Sequence, residues 1–403
     1  MRNLMLRHIS PAARRLARQA RWLARPGLVT RPAARVLWHD DRGVVGVLVA
    51  ALLGTGVLLG MGALVIDLGQ VYQNRAELQN GADASALAVA SNCALGGTGA
   101  CVLSSVLPLV THYADANASG LTGHQAGIEL VCGSMSLGLC PASAGGLTDC
   151  PAAPPTGINY VDVHTVTLTG GGSSVLPPFF GRMLGDENYS GSSVKACAQA
   201  EWGGPASATA TAFTISACSW YSYTGDGLLF APPPPYPPNL APAALSDHVL
   251  VLRGSRGSRA SGCPPFEPYG QDAAGTFGWT SDQGSCSGFI DGSYRGTTGT
   301  ATSDCQTALQ EAQENRTVVY VPVYSSVTAS GAGISYNPLG FAAFVVTGYR
   351  LSSTVAASDW LSPANNCTGG RVCINGYFTR GLIPSTGALG GNDLGVSIVK
   401  LTG

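Results

Sequence analysis

An uncharged apolar run near the N-terminus constrains this sequence more than any other feature. Residues 44–66, VVGVLVAALLGTGVLLGMGALVI, contain no charged side chain. As a helix, the run would be roughly 34 Å long, compared with about 30 Å for the hydrocarbon core of a bilayer. Buried helices of soluble proteins rarely continue this far without a polar residue. The run therefore predicts one membrane-spanning helix.

Positive charge is concentrated before this run and predicts its orientation. Residues 1–42 hold 10 of the 22 basic residues but only two of the 23 acidic ones, so the remainder has 12 basic and 21 acidic residues, a net charge of −9. The positive-inside rule then puts the N-terminus in the cytoplasm. We expect a single-pass protein of the cytoplasmic membrane with residues 67–403 outside the cell. An acidic C-terminal part also argues against nucleic-acid binding.

The cysteines are all on the C-terminal side of the apolar run, as expected for a region that folds in an oxidising compartment. The twelve disulfide candidates are Cys93, Cys101, Cys132, Cys140, Cys150, Cys197, Cys218, Cys263, Cys286, Cys305, Cys367 and Cys373. Spacing alone does not give their pairing. Sequence neighbours are the first candidates, namely Cys93 with Cys101, Cys132 with Cys140, and Cys367 with Cys373. Zinc is the competing interpretation, but Cys-x2-Cys and His-x3-His spacings are missing.

Beyond the apolar run, the hydrophobic period first stays helical and then changes to two. Leu68, Val71, Leu78, Ala82 and Val89 form a helical stripe, which predicts an extension of the membrane helix into a stalk that ends at Gly96-Gly97. Gly81 is a possible bend within it. Alternation then predicts strands near residues 161–168, 193–200, 212–215, 248–252, 318–324 and 341–349. Helices are expected near Leu176–Leu184 and Ser303–Asn315, with Ser303 as the N-cap of the second.

These patterns predict an α+β protein, in which a long N-terminal transmembrane helix and stalk precede a β-rich, disulfide-stapled extracellular region. The expected divisions are a basic cytoplasmic tail, the helix with its extension, and two β-rich regions, the second with a proline-rich connector at 231–243. Their bounds are 1–42, 43–92, 93–203 and 204–403.

Three groups of residues border and follow the apolar run. They are Arg42-Gly43, Ile66-Asp67-Leu68-Gly69 with Tyr72, and Leu78-Gln79-Asn80 followed by residues 82–88, ADASALA. With these marks, residues 42–90 resemble the N-terminal region of TadE/TadG-like Flp pilus-assembly proteins. Four shorter segments resemble the C-terminal regions of actinobacterial TadG-like proteins, namely residues 215–220, 277–279, 321–323 and 340–344. The resemblance implies a component of the tight-adherence (Flp, type IVc) machinery that contacts other Tad/Flp components through its helix.

Small residues within the run predict where another helix would pack. Gly56 and Gly60 form a G-x-x-x-G motif flanked by Gly54 and Gly62, which allows two helix backbones to approach closely. Asp67 follows at the outer boundary. It either pairs with a neighbouring helix or is a solvated carboxylate, and the sequence leaves both open.

Catalytic patterns are weak throughout. The six histidines are scattered, and no His-Glu-x-x-His motif occurs. Residues 284–288, GSCSG, resemble a nucleophile elbow, but we expect Cys286 to be in a disulfide. The sequence thus predicts a non-enzymatic accessory or minor pilin-like component that uses no cofactor, metal or small-molecule substrate. The alternatives are a surface adhesin or cell-wall-binding protein with the same anchor, and a tethered hydrolase with a polar triad around an outer histidine.

Overall fold

The structure is a computed structural model of the chain. It describes residues 42–54, 57–118, 124–142, 150–178, 190–235, 250–254, 277–281, 284, 286–297, 301–330, 333–361, 372–384 and 387–402. Its helices are α1 (Arg42–Gly54), α2 (Val57–Ala100), α3 (Leu103–Asn117), α4 (Ala217–Thr224) and α5 (Ser303–Glu314). The chain divides into two units, residues 1–59 and 60–403, and the second contains all of the strands named below.

The prediction of a membrane-spanning helix is wrong. Among the described residues, no helix is long and apolar enough to cross a membrane. Helix α1 ends at Gly54 after 13 residues, or about 20 Å. The apolar run resumes in α2 but is followed there by Asp67 and further polar residues. Of the described part of the run, residues 44–54 lie in α1 and residues 57–66 lie in α2.

The strands form mainly one large sheet. They are β1 (His124–Gly133), β2 (Asn159–Thr169), β3 (Val175–Leu176), β4 (Ser192–Ser193), β5 (Lys195–Pro205), β6 (Ala208–Thr211), β7 (Phe213–Ser216), β8 (Leu250–Gly254), β9 (Phe277–Thr280), β10 (Ser287–Ile290), β11 (Tyr294–Thr297), β12 (Val318–Ser330), β13 (Gly333–Arg350), β14 (Ala356–Ala357), β15 (Val372–Thr379), β16 (Gly381–Ile383), β17 (Leu389–Asp393) and β18 (Val396–Leu401). Fourteen of them belong to one sheet, and β10 with β6 and β3 with β4 form separate pairs. The expected β-rich, disulfide-bonded region is therefore present.

The first part of the large sheet is built from β1, β2 and β5, which pair antiparallel, and β18 continues it beside β5. Helices α2 and α3 cover one face of these strands. Their joint core contains Ala82, Ala86, Val89 and Ala90 of α2, together with Val106, Val110, Val161, Val163, Ala198, Ala200 and Trp202. Small α2 side chains let the helix lie close to the strands.

Polar contacts fasten α2 to the elements beneath it. The Thr165 hydroxyl of β2 donates to the Leu78 carbonyl at 3.1 Å, and Gln79 Nε2 donates to the Cys197 carbonyl at 2.8 Å. On the other side, the buried Ser85 hydroxyl donates to the Val110 carbonyl of α3 at 3.0 Å. These bonds give α2 a fixed register on the sheet.

Helix α2 loses regular geometry at Gly97, whose φ is 63°, one of the two glycines expected to end it. Arg380 lies at this end of the helix. Its Nη1 is 3.5 Å from the Ala94 carbonyl, and its guanidinium carbon is 4.5 Å from the centre of the Phe230 ring. A cation here complements the partial negative charge of a helix C-terminus. Arg380 thereby connects α2 to the β16 side of the sheet.

The second part of the large sheet is organised by the long antiparallel pair β12 and β13. It carries the largest core, in which Phe213 meets Phe277, Trp279 and Phe344 in edge-to-face contacts. Six expected strands correspond to β2, β5, β7, β8, β12 and β13. Helix α5 is also present, although its N-cap is Thr302 rather than Ser303. The expected helix near 176–184 begins instead in strand β3, and residues 179–184 lie outside the described part.

Gly81 is a point of close packing. It lies inside α2, and a Cβ there would be 2.7 Å from the backbone oxygen of Ala114 in α3. By contrast, a Cβ at Gly69 would meet no heavy atom of the described residues within 4 Å. The two glycines of one helix therefore differ only in what surrounds them.

We expect Gly81→Ala and Gly69→Ala to change stability in opposite directions. Gly81→Ala should lower the free energy of unfolding by about 1–3 kcal/mol, because α2 and α3 must separate. Gly69→Ala should raise it by up to about 1 kcal/mol through helix propensity alone. Urea denaturation of both variants measures the difference. Equal stabilisation by both would show that the close approach of α2 and α3 is absent in solution.

Candidate functional site

The N-terminal part of α2 carries an exposed apolar stripe. Its members lie at positions i, i+3, i+4, i+7 and i+11 and are 48–72% exposed, namely Met61, Leu64, Val65, Leu68 and Tyr72. This spacing puts them along one side of the helix. We call these five residues the α2 stripe. An ordinary surface helix turns such a stripe towards its own core, so its exposure marks an interaction surface.

The opposite side of α2 anchors the stripe. Asn74 and Leu78 are buried there, and Val71 packs partly against the small core that contains Leu78 and Ala114. From Leu78 onward, the helix is held by the sheet and by α3. The stripe therefore lies on the exposed N-terminal part of α2, whose later turns are held by the sheet and by α3.

The structure describes four of the five residues predicted to pack against another helix. Gly54 is the exposed last residue of α1, Gly60 is half-buried in α2, and Gly62 is exposed beside Met61. Within the described part of the chain, a Cβ at Gly62 would meet no heavy atom within 4 Å. Asp67 is half-buried in α2. Gly56 lies outside the described residues, so helix packing through these residues stays a prediction.

Four disulfides join described cysteines. They are Cys93–Cys101, Cys132–Cys140, Cys150–Cys197 and Cys286–Cys305. The first two are neighbour pairs expected from the sequence. Cys218 and Cys373 are also disulfide-bonded, whereas Cys263 and Cys367 lie outside the described residues. Cys286, the candidate nucleophile of the GSCSG segment, is thus in a disulfide and has no thiol.

A polar cluster lies on the face of the β1–β2–β5 sheet that α2 and α3 do not cover. Its centre is His164 of β2. Ligand atoms of Cys132, Asp162 and His164 lie within 4.8 Å of one another, and so do those of Cys150, His164 and Cys197. We call these five residues the His164 cluster. Because its three cysteines are in disulfides, the cluster offers His164 no thiol nucleophile.

Asp162 is the carboxylic acid of this cluster, and its pKa is raised. It is 4% exposed, and its Oδ1 has no hydrogen-bond partner in the part of the chain that the structure describes. Burial raises the pKa of Asp162 from 3.8 to about 6, and a hydrogen bond from the Gln199 side chain partly opposes the rise. Gln199 also donates to the carbonyls of Pro151 and Ala152, which hold the segment after Cys150 against β5.

Sequence reasoning missed both the α2 stripe and the His164 cluster. It assigns Met61, Leu64 and Val65 to the lipid-spanning run, and it places Leu68 and Tyr72 just beyond the run, in the predicted outer stalk. In β2, the alternation of Val161, Asp162, Val163 and His164 predicts the strand but does not indicate what its polar face meets. Only the pairing of β2 with β5 shows that Cys197 lies opposite His164.

Comparison with known proteins adds one match, and it falls on the helices. Residues 43–92 match the family model described as putative Flp pilus-assembly TadE/G-like. This match identifies a TadE/G-like region in the chain. It contains α1 from Gly43 onward and α2 as far as Asn92, hence the whole α2 stripe. The TadE/G-like region associates the chain with Flp pilus assembly and, through it, with the cell envelope. No curated protein and no solved structure matches the chain significantly.

The raised pKa of Asp162 predicts a pH-dependent stability. Between about pH 4 and pH 6 the folded protein binds the proton more tightly than the unfolded chain, so the free energy of unfolding falls as pH rises through this range. Asp162→Asn removes the ionisation. Its stability relative to the wild type should therefore grow from near zero at pH 4 to about 1–3 kcal/mol above pH 6.

Urea denaturation of the oxidised protein at four pH values from 4 to about 7 measures this difference. Asp115→Asn, on the exposed side of α3, is the matched control and should follow the wild type. A constant difference between Asp162→Asn and the wild type across the range would contradict the buried, perturbed carboxyl.

Proposed function

We propose that this protein is a non-enzymatic accessory component of Flp pilus assembly, and that its α2 stripe packs against a helix of another pilus component. The observation that carries this proposal is the exposure of the stripe inside the TadE/G-like region. The α2 stripe is apolar and exposed, and it lies in the region related to pilus-assembly proteins. A protein partner that covers the stripe best explains this combination.

The shape of the stripe favours a helical partner. Residues at i, i+3, i+4, i+7 and i+11 form a narrow ridge, and such ridges fit grooves between side chains of a second helix. Gly62 and Gly69 border the ridge, and no atom of the described residues lies within 4 Å of a Cβ built at either, so a partner backbone can approach there. Exposed charged residues are absent between Met61 and Ile66, which removes desolvation costs from the contact.

The β-rich region supports a location outside the cytoplasm. Cys93–Cys101 closes the end of α2, Cys132–Cys140 and Cys150–Cys197 connect the first part of the sheet, and Cys286–Cys305 joins α5 to the second part. Disulfides persist in oxidising compartments and are rare in the cytosol. We assign the β-rich region the role of an exported, stable body that presents or positions the stripe-bearing helix.

Charged substitutions in the stripe test this function. Val65→Glu should reduce co-purification of pilus components from native cells by about tenfold or more, because a carboxylate would be buried without a partner. Leu139→Glu is the matched control, since Leu139 is apolar and 94% exposed but lies in the loop of the Cys132–Cys140 disulfide. It should leave co-purification unchanged. Both are surface changes that should alter stability by less than about 0.5 kcal/mol.

Photo-crosslinking identifies the partner directly. A photoreactive amino acid at residue 65 should capture a helical peptide of a pilus component, and the same group at residue 139 should not. Capture of no pilus component at residue 65, together with unchanged co-purification of Val65→Glu, would reject the proposed function.

A further inference from the structure

The His164 cluster has the ligand set of a metal site. Cys150, His164 and Cys197 bring two sulfurs and one imidazole nitrogen within 4.8 Å of one another. In a tetrahedral zinc site with bonds of about 2.0–2.3 Å, ligand atoms lie roughly 3.3–3.8 Å apart. Small side-chain rotations would therefore be enough to reach coordination geometry. Thiolate and imidazole ligands favour zinc over magnesium or calcium.

Strand pairing explains why these residues meet. Asp162 of β2 lies opposite Cys132 of β1 on one side and Gln199 of β5 on the other. Two residues further along β2, His164 lies opposite Cys197. Side chains two positions apart share a face of a sheet, so β2 aims Asp162 and His164 in the same direction. Four of the five cluster residues thus lie on three neighbouring strands, and Cys150 lies in the segment before β2.

A second observation points to a cation. Asp162 is 4% exposed, and its Oδ1 has no hydrogen-bond partner within the described residues. An unpaired carboxylate oxygen in a buried position is costly unless a donor or a metal satisfies it. A carboxylate oxygen of Asp162 lies in the same 4.8 Å group as a nitrogen of His164. His164 is half-buried, which gives solvent access to the cluster.

We propose that reduction of the Cys150–Cys197 disulfide converts the His164 cluster into a binding site for one zinc ion, with Cys150, Cys197 and His164 as ligands and with the buried Asp162 carboxylate beside His164. In the oxidised protein the same two sulfurs are bonded to each other, and the site is closed. The disulfide and the zinc site are alternative ways of joining β5 to the segment that precedes β2.

The conversion is a balanced two-electron reaction. A dithiol reductant transfers two electrons and two protons to the disulfide, the bond between the two sulfurs breaks, and the reductant closes to its own disulfide. Zinc then displaces the two thiol protons and binds both thiolates. Thiol–disulfide exchange with an external disulfide, which takes up the two electrons and two protons and leaves as its dithiol, closes the Cys150–Cys197 bond again and releases the metal.

Metal titration of the reduced full chain tests the proposal. The protein is reduced with dithiothreitol, freed of reductant without air, and titrated with Co²⁺ as a spectroscopic substitute for zinc. The reduced wild type should show the intense visible bands of tetrahedral thiolate-bound cobalt, and zinc should abolish them. The oxidised protein should show none.

Variants assign the bands to the cluster, because other cysteines are reduced as well. His164→Ala should bind one equivalent of cobalt less than the wild type, and Asp162→Asn should bind at least about tenfold more weakly. His112→Ala is the matched control, since His112 lies on the exposed side of α3, and it should bind as the wild type does. Equal stoichiometry and spectra in His164→Ala and the wild type would overturn the proposal.

Alkylation of the reduced wild type tests zinc binding by Cys150 and Cys197 without the use of a variant. Zinc should slow modification of Cys150 and Cys197 by about tenfold or more, as read by peptide mass spectrometry. Cys140 is the internal control, because it is half-buried near the cluster but is not a proposed ligand. Zinc-independent alkylation of Cys150 and Cys197 would overturn the proposal even if His164→Ala failed to fold.

Discussion

The contact between α2 and the β1–β2–β5 sheet is the constraint on which the first part of this structure depends. Ala82, Ala86 and Ala90 present a nearly flat helix surface, and Val161 and Ala198 present small side chains in return. Close approach then allows hydrogen bonds that larger residues would prevent, including the one from Thr165 to the Leu78 carbonyl at 3.1 Å. The TadE/G-like region ends within this contact, so the helix that belongs to this region packs directly on the sheet that follows it in sequence.

Much of this arrangement is accessible from the sequence, since periodicity reports which side of an element is buried. The helical spacing of Leu78, Ala82 and Val89 predicts the helix but assigns it to a stalk, whereas in the structure these residues pack against the strands and α3. Alternation predicts β2 and β12. The N-cap of α5 differs by one residue from the prediction, because Thr302 and Ser303 are both good caps and only backbone geometry separates them. The pairing of two sets of neighbouring cysteines is also confirmed.

The apolar run shows what periodicity does not report. Its length predicts one membrane-spanning helix, whereas no helix among the described residues is long and apolar enough to cross a membrane. Glycine lowers helix stability by about 1 kcal/mol relative to alanine, and Gly54, Gly56, Gly60 and Gly62 are concentrated in this part of the sequence. A hydropathy average over the whole run does not register these glycine positions. The exposed stripe from Met61 to Tyr72 becomes visible only when the helix has a defined start and a defined buried side.

Long-range pairing accounts for the His164 cluster, which no local pattern contains. Cys150 and Cys197 are separated by 47 residues, and His164 lies between them in sequence. The cluster exists because β5 returns antiparallel to β2 with His164 opposite Cys197, and a shift of one residue would turn every side chain to the other face. The helix face of β2 and β5 must hold Val163 and Ala198 against α2, which fixes that register. The packing that positions the TadE/G-like helix therefore also determines which residues face one another on the opposite side of the sheet.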